Sequence, residues 1–139
     1  MILTMNEAMY CLQAAGFPYP QLVTGGAVGM AESGLETDRI GRLASRTTGV
    51  FDNEDLGWMQ ISTKWHEAQI VSLQGVNWRD PFENAKLAKQ VYDSQGWNGW
   101  AAYSSGAHSK YLPMAQNALS HLWAPTPDGA TLLWSRRLA

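Results

Sequence analysis

The sequence contains a single cysteine, Cys11, among its 139 residues. A disulfide within the chain is therefore excluded, and the fold must depend on its hydrophobic core. No basic partner lies near Cys11 in the sequence, so nothing predicts a lowered thiol pKa or a nucleophilic role. We expect Cys11 to pack as a small apolar residue in the first helix.

Charge is also scarce, at 16% of the residues, and neither sign dominates. Ten basic residues stand against twelve acidic ones, and no run of Lys or Arg would neutralise a phosphate backbone, so we expect no nucleic-acid partner. The three histidines are too widely spread to predict a metal site, and we expect neither a metal nor a cofactor.

Long apolar runs are missing as well, so the sequence predicts no segment that inserts into a membrane. The first residues lack the charged start and the apolar stretch of a signal peptide. We therefore expect a protein that stays where it is made unless something else releases it.

What the chain does have is enough apolar material, at 45%, for one globular domain. Capping and period-3.6 patterns predict helices over roughly 5 to 15, from about 22 to 32, from 62 or 63 to at least 71, from 80 to about 95, near 100 to 103, and from 113 onward. Two stretches are β-like, over 47–51 and 56–61. These patterns predict a mainly α-helical α+β domain over residues 1–123, followed by a linker and tail over 124–139.

Two carboxylates stand out in this pattern. Glu32 ends an apolar helix, where desolvation would keep its carboxyl protonated, as a general acid requires. Asp55 precedes a predicted Gly-Trp-Met-Gln strand and is expected to stay ionised. Cleavage of a glycosidic bond uses two such carboxyl groups. Each residue alone is a weak signal, since helix ends and turns often carry solvated acids.

Four short motifs follow one another in the order of a known family. They are Glu32-Ser33-Gly34, Gly57-Trp58-Met59-Gln60-Ile61, Asp80-Pro81-Phe82-Glu83-Asn84 and Ala102-Tyr103-Ser104-Ser105-Gly106. With them the chain resembles the lysozyme superfamily, especially bacterial and phage peptidoglycan-cleaving domains of the lysozyme-like and lytic transglycosylase type. The resemblance implies a lysozyme-like fold, with a small antiparallel sheet flanking a substrate cleft.

The resemblance also implies roles for single residues. Glu32 would be the catalytic acid, Gln60 would line the groove and bond the sugar, and Tyr103 would lie near the acid. Ser104 stands where the family usually has Asn, and Asn84 is expected to order its helix rather than touch substrate. Indole rings suit stacking on sugars, although Trp100 is expected in the core. The residues expected to bind substrate are Ser33, Trp58, Gln60, Trp65, Tyr103, Ser104 and Tyr111.

Asp55 decides which chemistry the resemblance implies. In animal c-type lysozymes a carboxylate stands two residues before the glycine of this motif, as Asp55 does here, whereas lytic transglycosylases generally lack one. The resemblance therefore favours hydrolysis, with Asp55 as nucleophile or electrostatic stabiliser and Asp52 and Glu54 as rivals for that role. A lytic transglycosylase is the alternative, and a non-catalytic wall-binding or virion module is a third possibility.

The expected partner is bacterial peptidoglycan. Without a signal peptide, the sequence favours a phage-encoded enzyme, held in the virion or the host cytoplasm before release. The apolar, arginine-containing segment 132–138 is a candidate for docking on a phage tail or virion protein.

Overall fold

The structure, a computed structural model, describes residues 1–42, 54–63 and 77–122. These ranges contain helices and three short strands. The helices are α1 Met5–Ala14, α2 Leu22–Ser33, α3 Pro81–Gln95, α4 Ala101–Ser104 and α5 Leu112–Leu122. The strands are β1 Ile40–Arg42, β2 Glu54–Leu56 and β3 Ile61–Ser62. The predicted fold class, mainly helical with a small antiparallel sheet, is confirmed.

The starts of α1 and α3 follow directly from local sequence. Thr4 Oγ1 accepts from the backbone N–H of Glu7 at 3.1 Å, and Glu7 Oε1 accepts from Thr4 N–H at 2.8 Å, which completes a capping box. At α3, Asp80 Oδ1 accepts from the N–H groups of residues 82 and 83, with Pro81 in the first helical position. Both predicted starts are confirmed.

The glycines of α2 let neighbouring side chains approach its backbone closely. A Cβ on Gly29 would lie 2.7 Å from the ring of Trp58, and one on Gly26 would lie 2.6 Å from Met5 Sδ. Because these contacts leave no room for a side chain, the glycines serve close packing despite their low helix propensity. Helix α2 is thus held against both α1 and the turn of the sheet. Cys11 in α1 is fully buried, as predicted.

The sheet has the order β1-β2-β3 and is antiparallel throughout. The predicted strand over 56–61 is wrong, because Leu56 ends β2, Ile61 begins β3, and residues 57–60 form the turn between them. Gly57 and Gln60 adopt positive φ angles of 77° and 50°, and all four turn residues are buried rather than alternating between two faces. Strand β1 was not predicted. The β-like stretch 47–51 and the helix predicted through residues 65–71 lie outside the described residues.

Asn84 explains why this turn forms. Its side chain is fully buried; Oδ1 accepts from Met59 N–H at 2.9 Å and Nδ2 donates to Leu56 O at 3.0 Å. The carboxamide thereby bonds both ends of the turn and rests on Gly57, where a Cβ would collide with it. Asn84 is buried away from any ligand, as expected, but it orders the turn rather than its own helix.

Within the described ranges, no helix is both long and apolar enough to cross a membrane. The same part of the chain holds no cluster of three or more His, Cys, Asp or Glu side chains arranged to bind a metal ion. Residues 123–139 lie outside it, so the domain boundary between 123 and 124 stays a prediction.

Candidate active site

Glu32 lies one residue before the end of α2, with its side chain half-buried. Its Oε1 accepts a hydrogen bond from the backbone N–H of Ala102 in α4, at 3.1 Å. Burial raises the pKa of Glu32, the Ala102 bond acts in the opposite direction, and the negative charge of Asp55 raises it further. The net effect is a raised pKa, which suits a carboxyl that must hold a proton.

Asp55 lies in the central strand of the sheet, paired with Gly41 on one side and Ser62 on the other. Burial raises its pKa, and a hydrogen bond with the Ser62 side chain opposes that rise. Gly41 has no side chain to cover it: a Cβ there would lie 3.6 Å from Asp55 Oδ2. Asp55 is therefore half-buried at the middle of the sheet, close enough to Glu32 to act on its pKa.

The two rivals for the second carboxylate are not equivalent to Asp55. Glu54 precedes Asp55 in the same strand, so its side chain is directed to the opposite face of the sheet, where it is 6% exposed. Asp52 lies outside the described residues. Of the carboxylates that the structure describes, Asp55 is the one whose charge raises the pKa of Glu32.

Comparison with known proteins identifies the family of the chain. A family model described as a lysozyme-like domain matches residues 10–102, which include Glu32, Asp55 and the backbone donor at Ala102. The chain belongs to this lysozyme-like family. No curated protein and no solved structure gives a significant match to the sequence.

Two residues expected to bind substrate are internal supports of the lysozyme-like domain instead. Trp58 is fully buried, and its Nε1–H donates to Pro81 O at 3.0 Å. Ser33 is 7% exposed; its hydroxyl donates to Trp58 O at 2.6 Å and accepts from Leu35 N–H at 3.1 Å. The expected sugar contacts are wrong for both residues, because the turn that replaces the predicted strand directs Trp58 into the core.

Gln60 is also committed to the fold, through its amide nitrogen. Nε2 donates to Gly57 O at 2.8 Å and to Arg39 O at 3.2 Å, which ties the turn to the chain just before β1. Its Oε1 lies against Gly41, on the side of the sheet that carries the Asp55 carboxyl. The amide hydrogens are thus used within the protein, and a contact between Gln60 and sugar stays a prediction that involves Oε1 alone.

The remaining candidates lie around α4. Tyr103 follows Ala102 and is half-buried, Ser104 ends the helix and is exposed, and Tyr111 is half-buried in the next turn. Their contacts with sugar stay predictions, and Trp65 lies outside the described residues. Trp100 is a core residue, as expected: it is 3% exposed and donates to Met59 O at 2.7 Å.

The sequence did not reveal two parts of this site. The donor to Glu32 is a backbone N–H, which any residue at position 102 would supply, so side-chain identity carries no signal for it. Gly41 matters for the site because it has no side chain, which leaves the space next to the Asp55 carboxyl open. Its pairing partner in β2 is more than ten positions away in sequence and could not be read from local patterns.

Proposed function

We propose that this lysozyme-like domain is a muramidase, which hydrolyses the β-1,4 bond between N-acetylmuramic acid and N-acetylglucosamine in peptidoglycan. The observation that carries the proposal is the pair of half-buried carboxyls, Glu32 and Asp55, on two elements that meet at one site. Membership of the lysozyme-like family supports peptidoglycan as the substrate and a glycosidase or transglycosylase as the enzyme class.

The division of labour follows from the pKa effects. A charge on Asp55 raises the pKa of Glu32, so while Asp55 is ionised the favoured state has Glu32 protonated. Ser62 supports this state because its hydrogen bond stabilises the Asp55 carboxylate. Two neighbouring carboxyls with different surroundings are the usual basis for separate acid and base roles.

In the proposed reaction, Glu32 donates its proton to the glycosidic oxygen as the bond to the anomeric carbon breaks. Asp55 stabilises the positive charge that develops at that carbon, or attacks it. The Glu32 carboxylate then removes a proton from water, whose oxygen bonds to the anomeric carbon. Glu32 is protonated again and Asp55 is released, so both carboxyls return to their starting state.

Mass spectrometry of digested cell wall tests the proposal. Products with reducing N-acetylmuramic acid ends are expected. Reducing N-acetylglucosamine ends would contradict the bond assignment. Undigested wall at every protein concentration would contradict the enzyme class and favour a wall-binding module. Glu32→Gln protein, purified in the same way, is the control for contaminating wall hydrolases.

One observation favours a second candidate, a lytic transglycosylase. Burial raises the pKa of Asp55, which opposes the ionised form that hydrolysis requires of it. In a transglycosylase the muramic acid's own hydroxyl attacks the anomeric carbon, and Glu32 alone serves as acid and then base. The products would carry 1,6-anhydromuramic ends, and Asp55→Asn protein would keep most of its activity.

The biological setting goes further than these observations. A phage origin, storage in the virion or host cytoplasm, and docking of segment 132–138 on a virion protein stay predictions from the sequence. Deletion of residues 125–139 tests the last of them: unchanged assembly and localisation of the truncated protein would contradict docking.

A further inference from the structure

Helix α4 is a single turn, Ala101–Ser104, yet it carries the backbone donor to Glu32. One helical turn is not stable by itself, because its few hydrogen bonds do not offset the entropy lost on forming it. The position of Ala102 relative to Glu32 must therefore be fixed by contacts from outside the helix.

Contacts of this kind lie on both sides of Ala102. On the N-terminal side, Trp100 Nε1–H donates to Met59 O at 2.7 Å, which holds the start of α4 to the turn of the sheet. On the C-terminal side, Ala102 O accepts from His108 N–H at 3.1 Å and lies 3.2 Å from His108 Nδ1. The His108 ring also packs on Tyr103, with ring centres 4.8 Å apart.

We infer that His108 is a positioning residue of the active site: donation from its Nδ1 to Ala102 O holds Ala102 in place, so that the Ala102 N–H reaches the Glu32 carboxyl. This inference rests on the proposed role of Glu32 as the acid. Donation to Ala102 O requires a hydrogen on Nδ1 of His108. The backbone N–H of residue 108 bonds the same oxygen in any variant, so a substitution tests the ring alone.

A positioning role predicts a change in the pKa of Glu32 that is opposite to the change expected from a general loosening of the site. The Ala102 N–H stabilises the charged form of Glu32, so weakening that bond raises the pKa of Glu32. A loosened site would instead admit water to the buried carboxyl and lower its pKa. Residues 101–111, which pack on α2, carry the titratable side chains Tyr103, His108, Lys110 and Tyr111, and β2 carries Asp55. Of the described groups, Asp55 is the one whose charge acts on Glu32.

Four variants separate the parts of the His108 ring. His108→Ala removes both the donor and the ring, His108→Asn keeps a donor at the position of Nδ1, and His108→Phe keeps a ring without a donor. Ser109→Ala, at the exposed neighbouring position, is the matched control. For each protein, kcat and KM on purified peptidoglycan are measured across pH, together with the thermal unfolding midpoint.

His108→Ala is expected to lower kcat roughly fivefold, the effect of one lost hydrogen bond, with little change in KM. The alkaline limb of its pH profile should move to higher pH, because the acid holds its proton longer. His108→Phe should show the same shift, whereas His108→Asn and Ser109→Ala should keep the wild-type limb. Folded Ala and Phe variants with the wild-type limb, or with a limb moved to lower pH, would overturn the inference.

A second readout keeps this inference separate from the proposed function. The titration of the Glu32 carboxyl, followed by carbon NMR on selectively labelled protein, should show the same rise in pKa for His108→Ala and His108→Phe without any substrate. If the wild type does not cleave peptidoglycan, the proposed function fails while this titration still decides the positioning role. An unchanged Glu32 titration in an enzyme that requires Glu32 would overturn the positioning role alone.

Discussion

The two halves of the candidate active site are stabilised in different ways. Glu32 lies at the end of a helix and depends on a backbone donor 70 residues away in sequence, at Ala102. Asp55 lies in the centre of a sheet and depends on the side chain of Ser62 in the next strand. The environment of Glu32 is thus set by a donor distant in sequence, and that of Asp55 by the two strands that pair with its own.

The two halves nevertheless meet at a buried junction. Ser33, next to Glu32, donates to Trp58 O in the hairpin turn, and Gly29 packs against the Trp58 ring. Because the core holds this junction, a shift of the hairpin is resisted by the acid-bearing helix. Substitutions near Glu32 and substitutions near Asp55 can therefore be compared as changes to one connected site.

The largest loss of activity is expected from Glu32→Gln, which removes the proton donor. General acid catalysis contributes about 10²- to 10⁴-fold to rate, and a loss in that range or beyond is expected in assays of wall digestion. Glutamine has nearly the same shape and can still accept from Ala102 N–H, so the fold should persist. A Glu32→Gln protein with near wild-type activity would contradict the assignment of the acid.

The same variant should be more stable than the wild type at neutral pH. A carboxyl whose pKa is raised in the folded state favours folding while it is protonated, and this contribution is lost as the pH rises through its folded pKa. Glu32→Gln should therefore raise the unfolding midpoint at pH 7 and have little effect below about pH 4, where carboxyls are protonated in both states. Equal midpoints at pH 7 would contradict the burial of a charge at this position.

A smaller loss, about 10²- to 10³-fold in kcat, is expected for Asp55→Asn, which removes the charge that stabilises the transition state. The same assay at the pH optimum measures it, with Asn98→Ala, an exposed site in the turn before α4, as a neutral control. Activity within about tenfold of wild type, combined with 1,6-anhydro products, would decide for the transglycosylase.

Asn84→Ala tests the support of the hairpin. It leaves Met59 N–H and Leu56 O without their buried partner, and each unsatisfied group costs about 1–3 kcal/mol. A loss of about 2–4 kcal/mol in the free energy of unfolding is expected from urea titrations. The variant should disturb the position of Asp55, which lies next to the turn, more than that of Glu32. A change below about 0.5 kcal/mol in the free energy of unfolding would show that the turn forms without the Asn84 bonds.

The smallest effect is expected for Ser62→Ala, which removes a single hydrogen bond to Asp55. Since that bond lowers the pKa of Asp55, its loss raises the pKa, and the acid limb of the pH profile should move to higher pH. Activity near the optimum should fall only a few-fold. Ser62→Thr keeps a hydroxyl at this position, so its acid limb should lie where that of the wild type does. An unmoved acid limb in Ser62→Ala would show that the ionisation of Asp55 does not limit the reaction.

Local signals in the sequence predicted the helices well. The Thr4 capping box and the Asp80-Pro81 start place each helix through bonds within three residues, so nothing distant is needed to see them. The position of Glu32 at the end of an apolar helix followed in the same way. The partial burial of Glu32 and its raised pKa were therefore within reach of the sequence.

The hairpin was beyond the reach of the same reasoning. Residues 57–60 look like part of a strand because Trp58 and Met59 continue the apolar pattern between Leu56 and Ile61, but Asn84, more than twenty positions later, bonds both ends of the turn that they form. The error carried over to Trp58, which was expected in the groove and is buried in the core. Strand β1 was missed because Ile40–Arg42 has no alternating pattern and owes its structure to pairing with β2.

The coupling between the two halves is tested most directly by titrating the Glu32 carboxyl with carbon NMR, in wild-type protein and in Asp55→Asn. In the wild type, the Glu32 pKa should lie above the ordinary value for a glutamate. In Asp55→Asn it should fall, because the neighbouring negative charge has been removed. An ordinary Glu32 pKa in the wild type, or the same value in both proteins, would contradict a single active site built from these two carboxyls.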